Sequence, residues 1–136
     1  MICLDNDIFS RYASKQAYPS VDRFLTNHAE EPWILPSIVL FEYLKRYDSH
    51  NTIERQRRNA EQSVDAVADL SADITMEGAN LRARLATADT TLDLADLLIA
   101  ATAREYGATL ATANKNDFDK QAIHELVDVD IVEVVR

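Results

Sequence analysis

Residues 93–106 constrain the fold most. Placed on a helix, the central Leu-Ala-Asp-Leu-Leu-Ile-Ala-Ala-Thr-Ala is apolar on too many sides for a surface position, so this helix packs inside, with Gly107 as its stop. Residues 108–112, Ala-Thr-Leu-Ala-Thr, follow as a strand buried on both faces. A buried helix feeding a buried strand is expected of a parallel sheet, because parallel neighbours need crossover connections that cover the sheet.

The rest of the chain repeats that alternation. Met1-Ile2-Cys3-Leu4 is a short apolar run ending in Asp5-Asn6-Asp7, read as a buried strand that delivers carboxylates at its C-terminal tip. Residues 8–16 and 20–29 predict two short helices, the second capped by Ser20. Trp33-Ile34-Leu35, between Pro32 and Pro36, predicts a second strand, and residues 37–47 a helix capped by Ser37. Residues 51–71 predict one amphipathic helix with Val64, Val67 and Leu70 inward, followed by a link over 72–75 and a helix over 77–86. After the polar loop 114–117, a short helix to about residue 126 and a final edge strand over 127–134 complete the pattern. The expected architecture is a single α/β domain over residues 1–136, a three-layer α/β/α sandwich with right-handed crossovers and a mainly parallel sheet of four to five strands.

With 136 residues, 47% of them hydrophobic, the chain suits one core of useful size. The lone Cys3 forms no internal disulfide and no Cys-rich zinc site, and no apolar run approaches the roughly 20 residues of a membrane span. Asp5 and Asp7 interrupt the N-terminal apolar stretch, so no signal peptide is read and a cytoplasmic address is expected, with no membrane partner. Charge is unevenly distributed: residues 1–60 carry eight acids and eight bases, residues 61–136 fifteen acids and six bases. The net charge of −9 opposes nonspecific coating of nucleic acid. Lys45, Arg46, Arg55, Arg57 and Arg58 form the stretch able to meet a polyanion. Ten Arg against four Lys in so acidic a chain also resembles the composition of proteins from salt-rich cytoplasms.

Ligands of open parallel sheets bind beyond the C-terminal ends of the strands. Asp5 stands at such an end, Asp117 lies five residues past another, and Asp7 and Asn114 share their loops. Asp96 falls on a stripe with Ile99, Ala100 and Ala103, and Glu42 sits inside Ile38-Val-Leu-Phe-Glu-Tyr-Leu; a carboxylate in either setting is desolvated and needs a partner. Each has an ordinary alternative. Glu42 pairs with Arg46 at i+4, Asp96 serves its helix dipole, Asp5 and Asp7 shape a turn, Asp117 caps a helix, and Asp93 acts as a cap or supporting acid. Against these stands their joint placement, four acids from four segments where one pocket collects them. Such acids repel and raise one another's pKa values unless a cation intervenes, and an all-oxygen donor set favours Mg²⁺ or Mn²⁺. Phosphodiester hydrolysis is the chemistry such a centre performs. His28, His50 and His124 share no metal-ligand spacing and are read as surface residues; Cys3 is read as core, and no Gly-rich phosphate loop is present.

In Met1-Ile-Cys-Leu-Asp5-Asn-Asp, Pro36-Ser-Ile-Val-Leu-Phe-Glu42, Asp96-Leu-Leu-Ile-Ala-Ala-Thr-Ala103 and Thr112-Ala-Asn114-Lys-Asn-Asp117-Phe118, taken in order, the chain resembles the PIN-domain ribonucleases, specifically the VapC-type toxins of toxin–antitoxin pairs. The resemblance spans essentially the whole chain. It implies an acidic quartet of Asp5, Glu42, Asp96 and Asp117 that is both catalytic and metal-binding, supported by Asn6, Asp7, Asp93, Thr112 and Asn114, with Asp7 at a position often held by Ser or Asn. The activity implied is that of a Mg²⁺- or Mn²⁺-dependent endoribonuclease acting on single-stranded or looped RNA, dimeric and inhibited by a cognate antitoxin. Arg55, Arg57 and Arg58 are candidates to touch RNA or antitoxin.

Two other readings start from the same Asp5-Asn6-Asp7. One is a haloacid dehalogenase-like phosphatase with Asp5 as covalent nucleophile. The other is a noncatalytic receiver-like signalling domain holding Mg²⁺ on Asp5 and Asp7.

Overall fold

The computed structural model describes residues 1–134. Its strands are β1 (Ile2–Leu4), β2 (Trp33–Pro36), β3 (Ala66–Ala68), β4 (Thr109–Thr112) and β5 (Val129–Ile131), all parallel, in the order β3-β2-β1-β4-β5. The helices are α1 (Asn6–Tyr12), α2 (Pro19–Asn27), α3 (Ser37–Leu44), α4 (His50–Ser63), α5 (Ala72–Ala86), α6 (Leu94–Glu105), α7 (Lys115–Phe118) and α8 (Gln121–Leu126). Successive residues of a strand point to opposite faces, yet Ile2, Cys3 and Leu4 are all buried, as are Leu110, Ala111 and Thr112. Both faces of the central sheet are therefore covered, and the fold is the expected three-layer α/β/α sandwich.

Helix α6 is enclosed as its composition requires, with Leu97 and every residue from 99 to 103 buried. Gly107 ends it at φ +61°, a left-handed conformation that glycine adopts without Cβ strain. Helix α5 packs closely across it: a Cβ on Gly78 would stand 3.3 Å from Leu98 Cδ2 and 3.6 Å from Ala101 Cβ. The pair is also tied by charge. The Arg104 guanidinium meets Glu77 of α5 and donates to the carbonyl of Leu126 at the end of α8.

Several expected boundaries move. The helix expected over 8–16 is α1, six to twelve, because Asp5 caps it by accepting from the Asn6 N–H at 2.7 Å. Ser20 lies inside α2 rather than capping it, since Pro19 supplies the first turn with its fixed φ. Ser37 likewise belongs to α3, whose N-cap is Pro36, and that helix ends at Leu44 rather than residue 47.

The largest departure lies between residues 51 and 75. The single helix expected over 51–71 stops at Ser63, and the chain becomes edge strand β3. Asp65 fastens it to β2: its carboxylate accepts from the Trp33 N–H at 2.7 Å and its own N–H donates to the Trp33 carbonyl at 2.9 Å. Leu70 is consequently 49% exposed rather than inward. Where a link was expected, Ser71 caps α5 by accepting from the Ile74 N–H at 3.1 Å, with Asp73 favourably placed in the first turn. The polar loop 114–117 contributes a turn of helix, α7, capped by Asn114, and the final strand spans 129–131 rather than 127–134.

Candidate active site

The site is assembled at the C-terminal tips of β1 and β4, the middle of the sheet, where neighbouring connections leave in opposite directions and open a crevice. Asp5 ends β1 and is 6% exposed. Its Oδ1 accepts from the Asn6 N–H, its Oδ2 accepts from the Thr112 hydroxyl at 2.7 Å, and its backbone N–H donates to the Ala111 carbonyl at 3.0 Å. Burial pushes its carboxyl above the ordinary value, the Thr112 and Asn6 bonds pull it down, and the charge of Asp117 pushes it up.

Thr112, fully buried, organises the junction: besides donating to Asp5 it accepts from the Asn114 N–H at 3.1 Å. Asn114 in turn holds Asp117, accepting from its N–H at 3.3 Å and donating from Nδ2 to its Oδ2 at 2.8 Å. The fully buried Phe118 anchors the one-turn helix that carries Asp117. Asp117 thus lies within α7 rather than capping it.

Asp96 occupies the first turn of α6, where the helix dipole favours an anion. That is insufficient compensation: its carboxyl is pushed from 3.8 to about 7, first by burial, then by a hydrogen bond with Asp117 and by the charges of Asp5, Asp117 and Asp93. Carboxylate oxygens of Asp93, Asp96 and Asp117 lie within 4.8 Å of one another. Asp93 holds the N-cap position of α6 yet makes no capping hydrogen bond with its side chain, which stands instead in the acidic group.

Glu42 projects from α3 with Oε1 buried and without a hydrogen-bond partner among the described residues. Burial and the charge of Asp5 raise its carboxyl, and Lys45 partly offsets them. The i+4 pair with Arg46 does not form, because Arg46 donates from Nε to the Tyr43 carbonyl at 3.0 Å and lies over the Tyr43 ring at 4.7 Å. The Asn6 carbonyl Oδ1 is a second buried oxygen without a partner among the described residues. Asp7, one turn into α1, accepts from the Ala113 N–H at 3.1 Å; burial, then Asp5, push its carboxyl to about 6.

The carboxyls of Asp5, Asp7, Glu42 and Asp96 are thus all raised with neighbouring acids among the causes, none of the group forms an ion pair among the described residues, and Glu42 Oε1 and Asn6 Oδ1 are buried without a partner there. An arrangement of this kind, all oxygen and all acidic, fits a hard divalent cation. His50 and His124 are exposed, half-buried His28 pairs with Glu31, and none joins the group. Cys3 is core, its thiol pushed far up by burial. Arg55, Arg57 and Arg58 are exposed on α4, with Arg57 bonded to Glu61 at 2.8 Å and Arg58 3.7 Å from Glu54. Asp93, expected as a cap or supporting acid, makes no capping bond and stands beside Asp96 and Asp117; what the sequence left unnoticed is a cleft beside Asn6 and Asp7 walled by Tyr43 and Tyr47, whose i, i+4 spacing was its only trace.

Similar folds occur in solved structures at low sequence identity. VapBC2 from Rickettsia felis, bound to a DNA fragment from its promoter, has a chain 23% identical, with TM-score 0.75 over 98% of this chain and 100% of that one. FitAcB from Neisseria gonorrhoeae has a chain 23% identical, with TM-score 0.74 over 95% and 96% of the two chains. A toxin–antitoxin complex from Klebsiella pneumoniae has one 23% identical, with TM-score 0.68 over 89% and 92%. No curated protein matches the chain in sequence. The PIN domain family profile matches residues 2–123. With the acids of four segments gathered at the sheet's C-terminal edge and that match over most of its length, the chain belongs to the PIN domain family.

Proposed function

We propose that the chain is a Mg²⁺- or Mn²⁺-dependent endoribonuclease of the VapC type, cutting single-stranded or looped RNA, restrained by a cognate antitoxin, homodimeric and cytoplasmic. The observation that carries this reading is the convergence of Asp5, Glu42, Asp96 and Asp117 with no ion pair to any of them among the described residues. These four would hold the metal, with Asp93 close enough to Asp96 and Asp117 to contribute. Bound there, the cation supplies a water of lowered pKa and positive charge beside a phosphodiester oxygen.

The chain's own residues keep this apparatus in place. Thr112 and the Asn6 N–H fix both oxygens of Asp5, Asn114 fixes Asp117, and Asp7 ties α1 to the start of the loop after β4. Asp96, whose carboxyl is raised to about 7, is the member able to hold a proton near neutral pH, and the surroundings of Glu42 shift its carboxyl in the same direction. An antitoxin partner is supported by the likeness to chains of toxin–antitoxin complexes, and Arg55, Arg57 and Arg58 are proposed to meet that partner or the RNA backbone.

The alternatives fit less well. A covalent phosphatase needs a free carboxylate oxygen on Asp5, whose two oxygens are both engaged in a nearly closed environment. A receiver-like domain has the strand order 2-1-3-4-5 rather than the 3-2-1-4-5 found here. The test is cleavage of single-stranded RNA with Mg²⁺ and with EDTA: cutting that EDTA abolishes supports the reading, and cutting that survives EDTA overturns it.

A further inference from the structure

A catalytic edge made of carboxylates repels its own substrate, and the chain as a whole carries −9. A polyanion bound there needs an attractive surface close by. Beside the acids, α1, the turn after it, α3 and α4 enclose an open cleft of about 530 Å³ that begins at Asn6 and Asp7. Its charged lining reverses the trend of the molecule, with Arg11, Lys15 and Arg46 against the single acid Asp7. Among the described residues none of these three cations makes an ion pair, whereas Arg57 and Arg58 on α4 do. Arg11 donates to the Asp7 carbonyl and partly offsets the Asp7 carboxylate, Arg46 donates to the Tyr43 carbonyl, and the net charge of the lining stays positive.

Aromatic surface is interleaved with that charge. Tyr47 packs edge-on to the buried Tyr43 with ring centroids 6.0 Å apart, and the Arg11 guanidinium lies 5.7 Å from the Tyr18 ring centre. Tyr18 and Tyr47 keep part of their surface open, as Tyr43 does not. Cations on the rim with open aromatic faces between them match the chemistry of an unpaired nucleic-acid strand, whose phosphates seek charge and whose bases seek π surfaces. A protein helix seeks a more continuous apolar wall than this lining of Ser, Asn, Gln and charged side chains offers.

We infer that the cleft bounded by Arg11, Lys15, Tyr18, Arg46 and Tyr47 holds the RNA strand on one side of the scissile phosphate, with the cations on its backbone and the tyrosines against its bases. This assignment rests on the nuclease reading and supplies what the acidic edge lacks, affinity. The volume accommodates roughly one or two nucleotides.

The experiment uses a fluorescein-labelled single-stranded RNA of mixed sequence. Binding is followed by anisotropy in EDTA across a series of salt concentrations, and cleavage is followed separately in Mg²⁺. The double variant K15E/R46E is expected to weaken binding and to lower the salt dependence by about 0.7 in log–log slope for each phosphate no longer neutralised. Lys15→Glu alone, on an exposed side chain without an ion-pair partner, gives half of that change and guards against a folding defect. Tyr47→Ala is expected to weaken binding roughly tenfold with the slope unchanged, while Tyr47→Phe retains wild-type affinity because the ring, not the hydroxyl, meets the base. In cleavage, each damaging variant raises KM more than it lowers kcat. If the wild-type chain cuts RNA while all these variants bind and cut as it does, the cleft assignment falls and the nuclease reading stands. If the wild-type chain neither binds nor cuts RNA, both fall. If the variants keep RNA affinity but lose a partner protein, the cleft is that protein's seat and the assignment falls.

Discussion

Two half-buried charge clusters in this molecule are handled in opposite ways. At the α5–α6 junction Arg104 meets Glu77 and the last carbonyl of α8, with the two side chains only 24% and 20% exposed. At the C-terminal edge of the sheet the carboxyls of Asp5, Asp7, Glu42 and Asp96 are raised, with neighbouring acids among the causes, and among the described residues none of them forms an ion pair with a basic side chain. The first cluster is complete as a piece of protein structure. The second leaves its charge unpaired, which is the contrast behind the proposal that it takes a cation.

Four measurements put this contrast at risk. Asp96→Asn strikes the incomplete cluster: cleavage in Mg²⁺ should fall by roughly 10²- to 10⁴-fold, while the metal-free protein melts at the same or a higher temperature because a like charge is gone. Wild-type turnover would remove Asp96 from the reaction. Arg104→Ala strikes the complete one: Glu77 and the Leu126 carbonyl are left unpaired, and urea unfolding should show a drop in stability of about 2–3 kcal/mol.

The pH dependence comes next. Asp96 ionises at about 7 in the folded chain against an ordinary 3.8, so its protonated form favours folding. Its contribution is therefore present below pH 4 and is lost as pH rises through 7. Allowing for solvent screening of a half-exposed group, metal-free stability should fall by on the order of 1–2 kcal/mol over that window. Asp7, raised to about 6, acts in the same direction. Millimolar Mg²⁺ should flatten the decline, and thermal melts across pH with and without the ion measure it. The smallest effect belongs to charge in open solvent: Glu61→Gln removes the exposed partner of Arg57 and should shift stability by no more than about 0.5 kcal/mol.

What the sequence disclosed and what it hid follow from the range of the interactions involved. The strands β1 and β4 and helix α6 are legible because burial on all sides forces apolar runs that local polarity cannot mimic. The α4–β3–α5 stretch is not: Val64, Val67 and Leu70 keep a helical spacing of three, and what turns residues 66–68 into a strand is Asp65 reaching Trp33, a contact between residues 32 apart. Glu42 and Asp96 stand out because carboxylates among apolar neighbours have no local explanation. Asp93 has one, as a cap, so the residues alone leave it between cap and supporting acid, and its closeness to Asp96 and Asp117 is a fact of the folded chain. The tyrosine-lined cleft depends on how far α3 and α4 stand from α1, a distance no spacing along the chain encodes.

The hydroxyl of Thr112 reaching Asp5 across 107 positions of sequence has a consequence for when the acidic edge comes together during synthesis. A growing polypeptide that has released only its first hundred residues from the ribosome carries Asp5 and Glu42 but neither β4 nor Asp117. The acidic edge is thus assembled only after β4 and the turn carrying Asp117 have followed the first hundred residues out of the ribosome.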